Sequence, residues 1–203
     1  MIYEVSKFFV FLFAKTLFRF KVEGKENIPK KGGFLLCANH TSYLDPVFLG
    51  LGCPRKVVFM GRDTLFHNRF LALWMRLVGV VPVKREAADF SAMRNALRKL
   101  KEGKVVAIFP EGTRRLPEKA LINPQPGAGF LAQKAEVPVI PAYLAGTFEA
   151  LPKGVKGKIK FGTKILVRFG KQMKIAQDKP YLKVAEDIMS EIRKLKEGCF
   201  LPK

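Results

Sequence analysis

Short apolar runs rich in β-branched and aromatic residues alternate along this chain with longer stretches of helical periodicity. That alternation constrains the fold most. Strands joined through helical crossovers are driven into a layered α/β arrangement around a parallel sheet. The strand candidates are Phe34–Ala38, Lys56–Met60, Val80–Val83, Val105–Phe109, Val137–Tyr143 and Ile165–Phe169. Val105–Phe109 is apolar throughout, as expected of a central strand covered on both faces. Helices are predicted over Phe70–Val78, Asp89–Lys101, Gly127–Ala135 and Tyr181–Lys196. The second opens on an acidic residue and closes on Lys99, Lys101 and Gly103, an order that suits the helix dipole and a glycine stop. In the last, Leu182, Ala185, Ile188, Met189, Ile192 and Leu195 recur at helical spacing before Gly198. Leu116–Gly127 reads as a surface loop and Gly154–Lys160 as a basic turn. The expected fold is α/β, a mixed, largely parallel central sheet flanked by helices. A chain of 203 residues without repeats or a low-complexity linker suits one compact core.

The first twenty residues stand apart. Met1–Phe20 is rich in Phe, Leu, Val and Ile, but its longest unbroken apolar run is Phe8–Ala14, too short to span a bilayer. Glu4, Lys7, Lys15 and Arg19 interrupt it, and neither the early basic patch nor the cleavage site of a signal peptide is present. An amphipathic interfacial helix over residues 1–22 fits better, with its Phe side chains in the acyl–headgroup boundary and Lys15, Arg19 and Lys21 at lipid phosphates. Each such cation near an anionic surface adds about 1 kcal/mol. The competing reading is a helix packed on the protein's own core. Residues 23–203 form the α/β domain on this division.

Charge narrows the partners. Lys and Arg number 37 against 17 Asp and Glu, a net charge of +20, which calls for an anionic partner. Nucleic acid, an anionic membrane face and phosphorylated substrates all qualify. No helix-turn-helix, RNA-binding or zinc motif is present, so nucleic acid is not expected. Cys37, Cys53 and Cys199 form no C-x-x-C pair, which argues against a disulfide framework and for a reducing, cytosolic setting. The only histidines are His40 and His67. No Cys/His cluster has zinc spacing, so no protein-bound metal is expected. His67 reads as a surface or boundary residue.

Two constellations carry chemistry, each directly after a predicted strand, where α/β proteins place their sites. The first is Asn39-His40-Thr41-Ser42-Tyr43-Leu44-Asp45-Pro46. Asp45-Pro46 reads as a helix start, with Asp as N-cap and Pro in the first turn. On one continuous helix His40 and Asp45 would lie about 140° apart. A turn between them lets the carboxylate reach an imidazole nitrogen, fixing the tautomer and stabilising the imidazolium formed on proton uptake. His40 is then the candidate general base. Ser42 invites a nucleophile reading, but no G-x-S-x-G elbow surrounds it. The second constellation is Phe109-Pro110-Glu111-Gly112-Thr113-Arg114-Arg115. Gly112 lets backbone approach a ligand closely, and Arg114 offers a forked donor for phosphate. Thr113 can add a hydrogen bond, and Glu111 could position a hydroxyl or hold an arginine. No Gly-Lys-Ser/Thr follows, so this is not a nucleotide P-loop.

Together the two motifs resemble the glycerolipid acyltransferase family, in particular its 1-acylglycerol-3-phosphate acyltransferases. The family's Asn-His-x-x-x-x-Asp block is matched by Asn39, His40 and Asp45, and its Phe-Pro-Glu-Gly-Thr-Arg block by Phe109 to Arg114 without change. Its second block resembles Arg62-Asp63-Thr64-Leu65-Phe66 leading to Val83-Lys84-Arg85, and its fourth Val137-Pro138-Val139-Ile140-Pro141 followed by Gly146-Thr147. The blocks occur in family order across nearly the whole chain. Three positions depart: Gln125 stands where a Lys is common before Pro-Gly, Arg62 replaces the usual Lys, and a Pro common after Leu-Phe is replaced, with Arg69 in that region. The first puts acceptor affinity or head-group choice in question.

The resemblance implies direct transfer of a fatty acyl group from acyl-coenzyme A or acyl-carrier protein to the sn-2 hydroxyl of 1-acylglycerol-3-phosphate, giving phosphatidic acid. His40 and Asp45 would be catalytic. Arg114 and Arg85, with Arg62, would bind the acceptor phosphate, and Glu111, Gly112 and Thr113 would shape that site. No cofactor is implied beyond the thioester substrate. The setting implied is the cytoplasmic face of the cell membrane, with monotopic or peripheral attachment. The Phe66–Val83 segment, with Trp74 and Met75, is a candidate acyl-chain lining. Rival readings keep the chemistry with another lysophospholipid, glycerol 3-phosphate or another hydroxyl or amine acceptor. Others replace it with non-catalytic lipid or nucleic-acid binding.

Overall fold

The structure is a computed structural model and describes residues 2–62, 67, 69, 72–73, 80–83, 90–152 and 159–197. Strands β1 (Arg19–Glu23), β2 (Phe34–Ala38), β3 (Val57–Arg62), β4 (Val81–Val83), β5 (Val105–Ile108), β6 (Val139–Ala145) and β7 (Lys164–Phe169) form one sheet. Its order is β1-β7-β6-β2-β5-β3-β4. Every pairing is parallel except β6 with β7. The expected mixed, largely parallel sheet is therefore present.

The helices are α1 (Ile2–Leu17), α2 (Asp45–Gly52), α3 (Phe90–Lys101), α4 (Gly127–Ala135), the short α5 (Thr147–Ala150) and α6 (Tyr181–Glu197). They divide between the two faces of the sheet, and strand alternation explains how. Along β2, Phe34, Leu36 and Ala38 pack with Ala14 and Phe18 at the α1 end and Phe48 and Leu49 of α2. Leu35 and Cys37 point the other way, to Leu100 of α3, Leu131 of α4 and Ile188 of α6. On that second face α4 approaches the start of α6 so closely that a Cβ on Gly129 would sit 1.9 Å from the Tyr181 carbonyl oxygen. The small residues of α4 permit this approach.

Three expectations shift. The N-terminal helix ends at Leu17, not residue 22, and Arg19–Glu23 becomes an edge strand paired with β7. Its side chains are partly exposed, so it carries polar residues that a buried strand would exclude. Asp45 is the first helical residue of α2 and Leu44 occupies the cap position, because the Asp45 carboxylate turns backwards onto the preceding loop. β6 starts at Val139 rather than Val137 and extends to Ala145. Of the helix expected over Phe70–Val78, only residues 72 and 73 are described, and both are helical. The rest of that helix, with Trp74 and Met75, lies outside the described residues, as do Arg85, Cys199 and most of the Gly154–Lys160 turn.

Helix α1 lies along α2. The Lys7 ammonium donates to the Cys53 carbonyl at the end of α2, where the helix dipole favours a cation. Phe18 and Phe20 each set a ring edge-on against Phe48, with centroids 5.4 and 5.0 Å apart. The opposite face of α1 is uncovered: Phe8, Phe9, Leu12 and Phe13 are all more than half exposed. Among the described residues no helix is long and apolar enough to cross a membrane. Cys37 and Cys53 are buried and unbridged, and burial pushes both thiols up.

Candidate active site

The carboxyl ends of β2, β5 and β6 lie side by side, and the chain reverses its order across the sheet between β2 and its neighbours. Such a switch point opens a crevice at the strand ends. His40 lies two residues beyond β2, and the Phe109–Arg115 turn leaves β5 beside it.

The loop after β2 is fixed by its own polar groups. The buried Asn39 side chain docks on the β6 residue Leu144. Its amide nitrogen donates to the Leu144 carbonyl at 3.0 Å, and its oxygen accepts from the Leu144 N–H at 2.8 Å. The fully buried Asp45 Oδ2 accepts from the N–H groups of Thr41 and Ser42 at 2.7 and 2.8 Å. It also meets His40 Nδ1 at 2.8 Å. A carboxylate can only accept, so Nδ1 carries the proton and Nε2 keeps a lone pair. Ser42 is buried, donating its hydroxyl to the Leu151 carbonyl and accepting from the Leu44 N–H. It is a loop brace, not a nucleophile.

The second loop is bonded to the first. Glu111 is buried, and its Oε1 accepts the His40 N–H at 3.0 Å. The Arg115 N–H returns a bond to the His40 carbonyl at 2.8 Å. The Phe109 ring stacks on the imidazole, centroids 4.1 Å apart and nearly parallel. Burial pushes the Glu111 carboxyl up to about 7. Backbone groups of His40 and Leu121 pull it back, and the nearby Asp45 charge raises it further. Glu111 therefore holds the main chain of His40 through Oε1. Gly112 has φ +66°, and a Cβ there would sit 3.0 Å from Gln125 Cγ. Gln125, at the position of the family lysine, thus packs over the turn and donates its N–H to the Pro110 carbonyl. Thr113 and Arg114 are half-buried beside it.

Of the residues singled out by sequence, His40, Asp45, Glu111, Gly112, Thr113 and Arg114 occupy one edge of the sheet. Arg62 ends β3 on that edge. Arg85 is outside the described residues, and His67 is exposed. Among the described residues no His, Cys, Asp and Glu cluster could hold a metal ion. The Phe109 stack and the Asn39 clamp were not legible as roles, although both residues stand inside the quoted motifs.

An imidazole held by a buried carboxylate, beside a glycine–arginine turn at the strand ends, defines an acyltransferase-type site, and the chain belongs to the Acyltransferase family, whose family model matches residues 19–145. The chain is 33% identical over 141 residues to the 1-acyl-sn-glycerol-3-phosphate acyltransferase of Bacillus subtilis (strain 168), covering 69% of each chain. It is 28% identical over 177 residues to the enzyme of that name from Streptococcus pneumoniae, covering 85% of this chain and 64% of the relative. Among solved structures, the 1-acyl-sn-glycerophosphate (LPA) acyltransferase PlsC from Thermotoga maritima superposes with a TM-score of 0.76 at 26% identity, covering 98% of this chain and 83% of the other.

Proposed function

We propose that this chain transfers a fatty acyl group from a thioester to the sn-2 hydroxyl of 1-acylglycerol-3-phosphate, giving phosphatidic acid for phospholipid synthesis. The observation that carries the reading is the 2.8 Å contact of His40 Nδ1 with the buried Asp45 Oδ2. It leaves Nε2 as the proton acceptor at the open end of the sheet. Nε2 takes the hydroxyl proton as the acceptor oxygen attacks the thioester carbonyl. Asp45 stabilises the imidazolium that results. The tetrahedral intermediate collapses, the carbon–sulfur bond breaks, and the leaving thiolate takes the proton from His40. No acyl-enzyme forms, and the activated acyl group arrives with acyl-coenzyme A or acyl-carrier protein as substrate. Arg114, with Arg62 and Arg85, binds the acceptor phosphate, and Glu111, Gly112 and Thr113 shape the turn that presents it.

The acceptor and product are poorly soluble lipids, so the enzyme works at a bilayer surface. The bare Phe8, Phe9, Leu12 and Phe13 face of α1 supports seating in the headgroup boundary, with exposed Lys15, Arg19 and Lys21 over anionic lipid. The attachment is peripheral or monotopic, on the cytoplasmic face.

The test is thiol release from acyl-coenzyme A and from acyl-carrier protein with 1-acylglycerol-3-phosphate in detergent micelles, comparing the wild type with His40→Ala. Acceptor-dependent release with phosphatidic acid formed, falling by about 10²–10⁴-fold in the variant, is the expected result. Full activity in the variant would refute the His40 mechanism. A wild type inert towards this acceptor but active on another lysophospholipid would refute the acceptor assignment alone.

A further inference from the structure

We propose that Tyr43 is the positioning residue for Arg114, holding its guanidinium flat so that its N–H edge meets the acceptor phosphate. The inference rests on the reading of Arg114 as a phosphate ligand. Tyr43 lies between His40 and Asp45, and its side chain is 61% exposed, so the core does not need it. The Arg114 guanidinium carbon lies 3.3 Å above the centre of the Tyr43 ring. At that separation only a flat stack avoids collision between the two groups. The stack is a cation–π contact that uses the guanidinium face. The N–H donors of arginine lie in the guanidinium plane, so face stacking turns them away from the ring and along the guanidinium edge, with Nη1 buried, and that edge is what a phosphate binds in bidentate fashion.

The platform itself is rigid. On one side of Tyr43 the Ser42 N–H is held by Asp45 Oδ2, and on the other the Leu44 N–H is held by Ser42 Oγ. The same Asp45 oxygen holds His40 Nδ1. Tyr43 therefore links the group that removes the proton to the group that grips the phosphate. It sets their separation to suit an acceptor whose hydroxyl and phosphate sit on neighbouring carbons. A misplaced arginine weakens acceptor binding, and donor binding does not depend on it.

The experiment is steady-state kinetics of the full chain in micelles with 1-acylglycerol-3-phosphate, for wild type, Tyr43→Phe and Tyr43→Leu. Tyr43→Phe keeps the ring face and should match the wild type within about twofold. Tyr43→Leu keeps bulk without the face. Its KM for the acceptor should rise by about 3- to 10-fold, the loss of a partly exposed cation–π contact. Its KM for the thioester and its pH profile should not move. An unchanged acceptor KM in Tyr43→Leu overturns the inference. So does equal damage in Tyr43→Phe, or a parallel rise in the thioester KM. A wild type that acylates no phosphate-bearing acceptor overturns the functional reading and this inference with it. An active wild type with an unresponsive Tyr43→Leu overturns the inference alone.

Discussion

Glu111→Gln should make the protein more stable at alkaline pH while leaving it almost unchanged in acid. Glu111 is about 1% exposed, and burial pushes its carboxyl from 4.5 up to about 7 in the folded chain. The unfolded chain returns it to an ordinary carboxylate value. Below about pH 4.5 both states hold the proton and nothing is lost. Between the two values the folded state binds more protons than the unfolded state, so stability falls as pH rises and the loss is complete above about 7. A shift of about 2.5 units at 1.36 kcal/mol per unit gives about 3 kcal/mol as its upper size. Glutamine has the shape of the protonated acid, can still accept the His40 N–H through its amide oxygen, and does not ionise. Urea unfolding of both proteins in one nonionic detergent at pH 5, 6, 7 and 8 is the assay. The gap between variant and wild type should widen by about 2–3 kcal/mol across that range, in favour of the variant. A gap flat to within about 0.5 kcal/mol would refute the argument. A gap that narrowed would mean that Glu111 is held as an anion by a cationic partner.

Two more substitutions probe the same loops. Asp45→Asn preserves volume and keeps an oxygen that can accept from Thr41 and Ser42, but removes the charge beside His40. The expected outcome is a fall in kcat of about 10²–10⁴-fold with little change in acceptor KM, read by thiol release. Asn39→Ala removes both bonds to Leu144 and leaves a buried N–H and carbonyl bare. It should destabilise the chain by about 2–4 kcal/mol in urea unfolding, with activity lost in step with the folded fraction.

The parallel core was legible because its strands are covered on both faces. Phe34–Ala38 and Val105–Phe109 are unbroken apolar runs, and no helical surface pattern competes with them. Strand β1 was not legible. Arg19–Glu23 interleaves charged and apolar residues directly behind a Phe-rich helix. Its pairing with β7 joins Arg19 to Lys164, a separation that no local signal records. The Asp45 cap was misread for a related reason: the side chain chose N–H groups before the helix over those inside it. In the site, His40 and Asp45 are near in sequence and carry complementary chemistry, so their pairing could be read. The Glu111 contact could not, because its partner is the His40 main chain, and every residue but proline carries an N–H.

The two main-chain bonds of His40 have a further consequence. One goes to the Glu111 carboxyl and the other comes from the Arg115 N–H, so the loop after β5 grips the residue by its main chain on both sides. The reactive imidazole is thereby anchored through buried bonds to the central strands, so its loop should open with them and not as a fraying margin. Heat should take fold and catalysis away together. The turn from Leu116 to Gln125 shares in that anchoring, because Leu121 is buried in it and the Gln125 N–H donates to the Pro110 carbonyl beside Glu111.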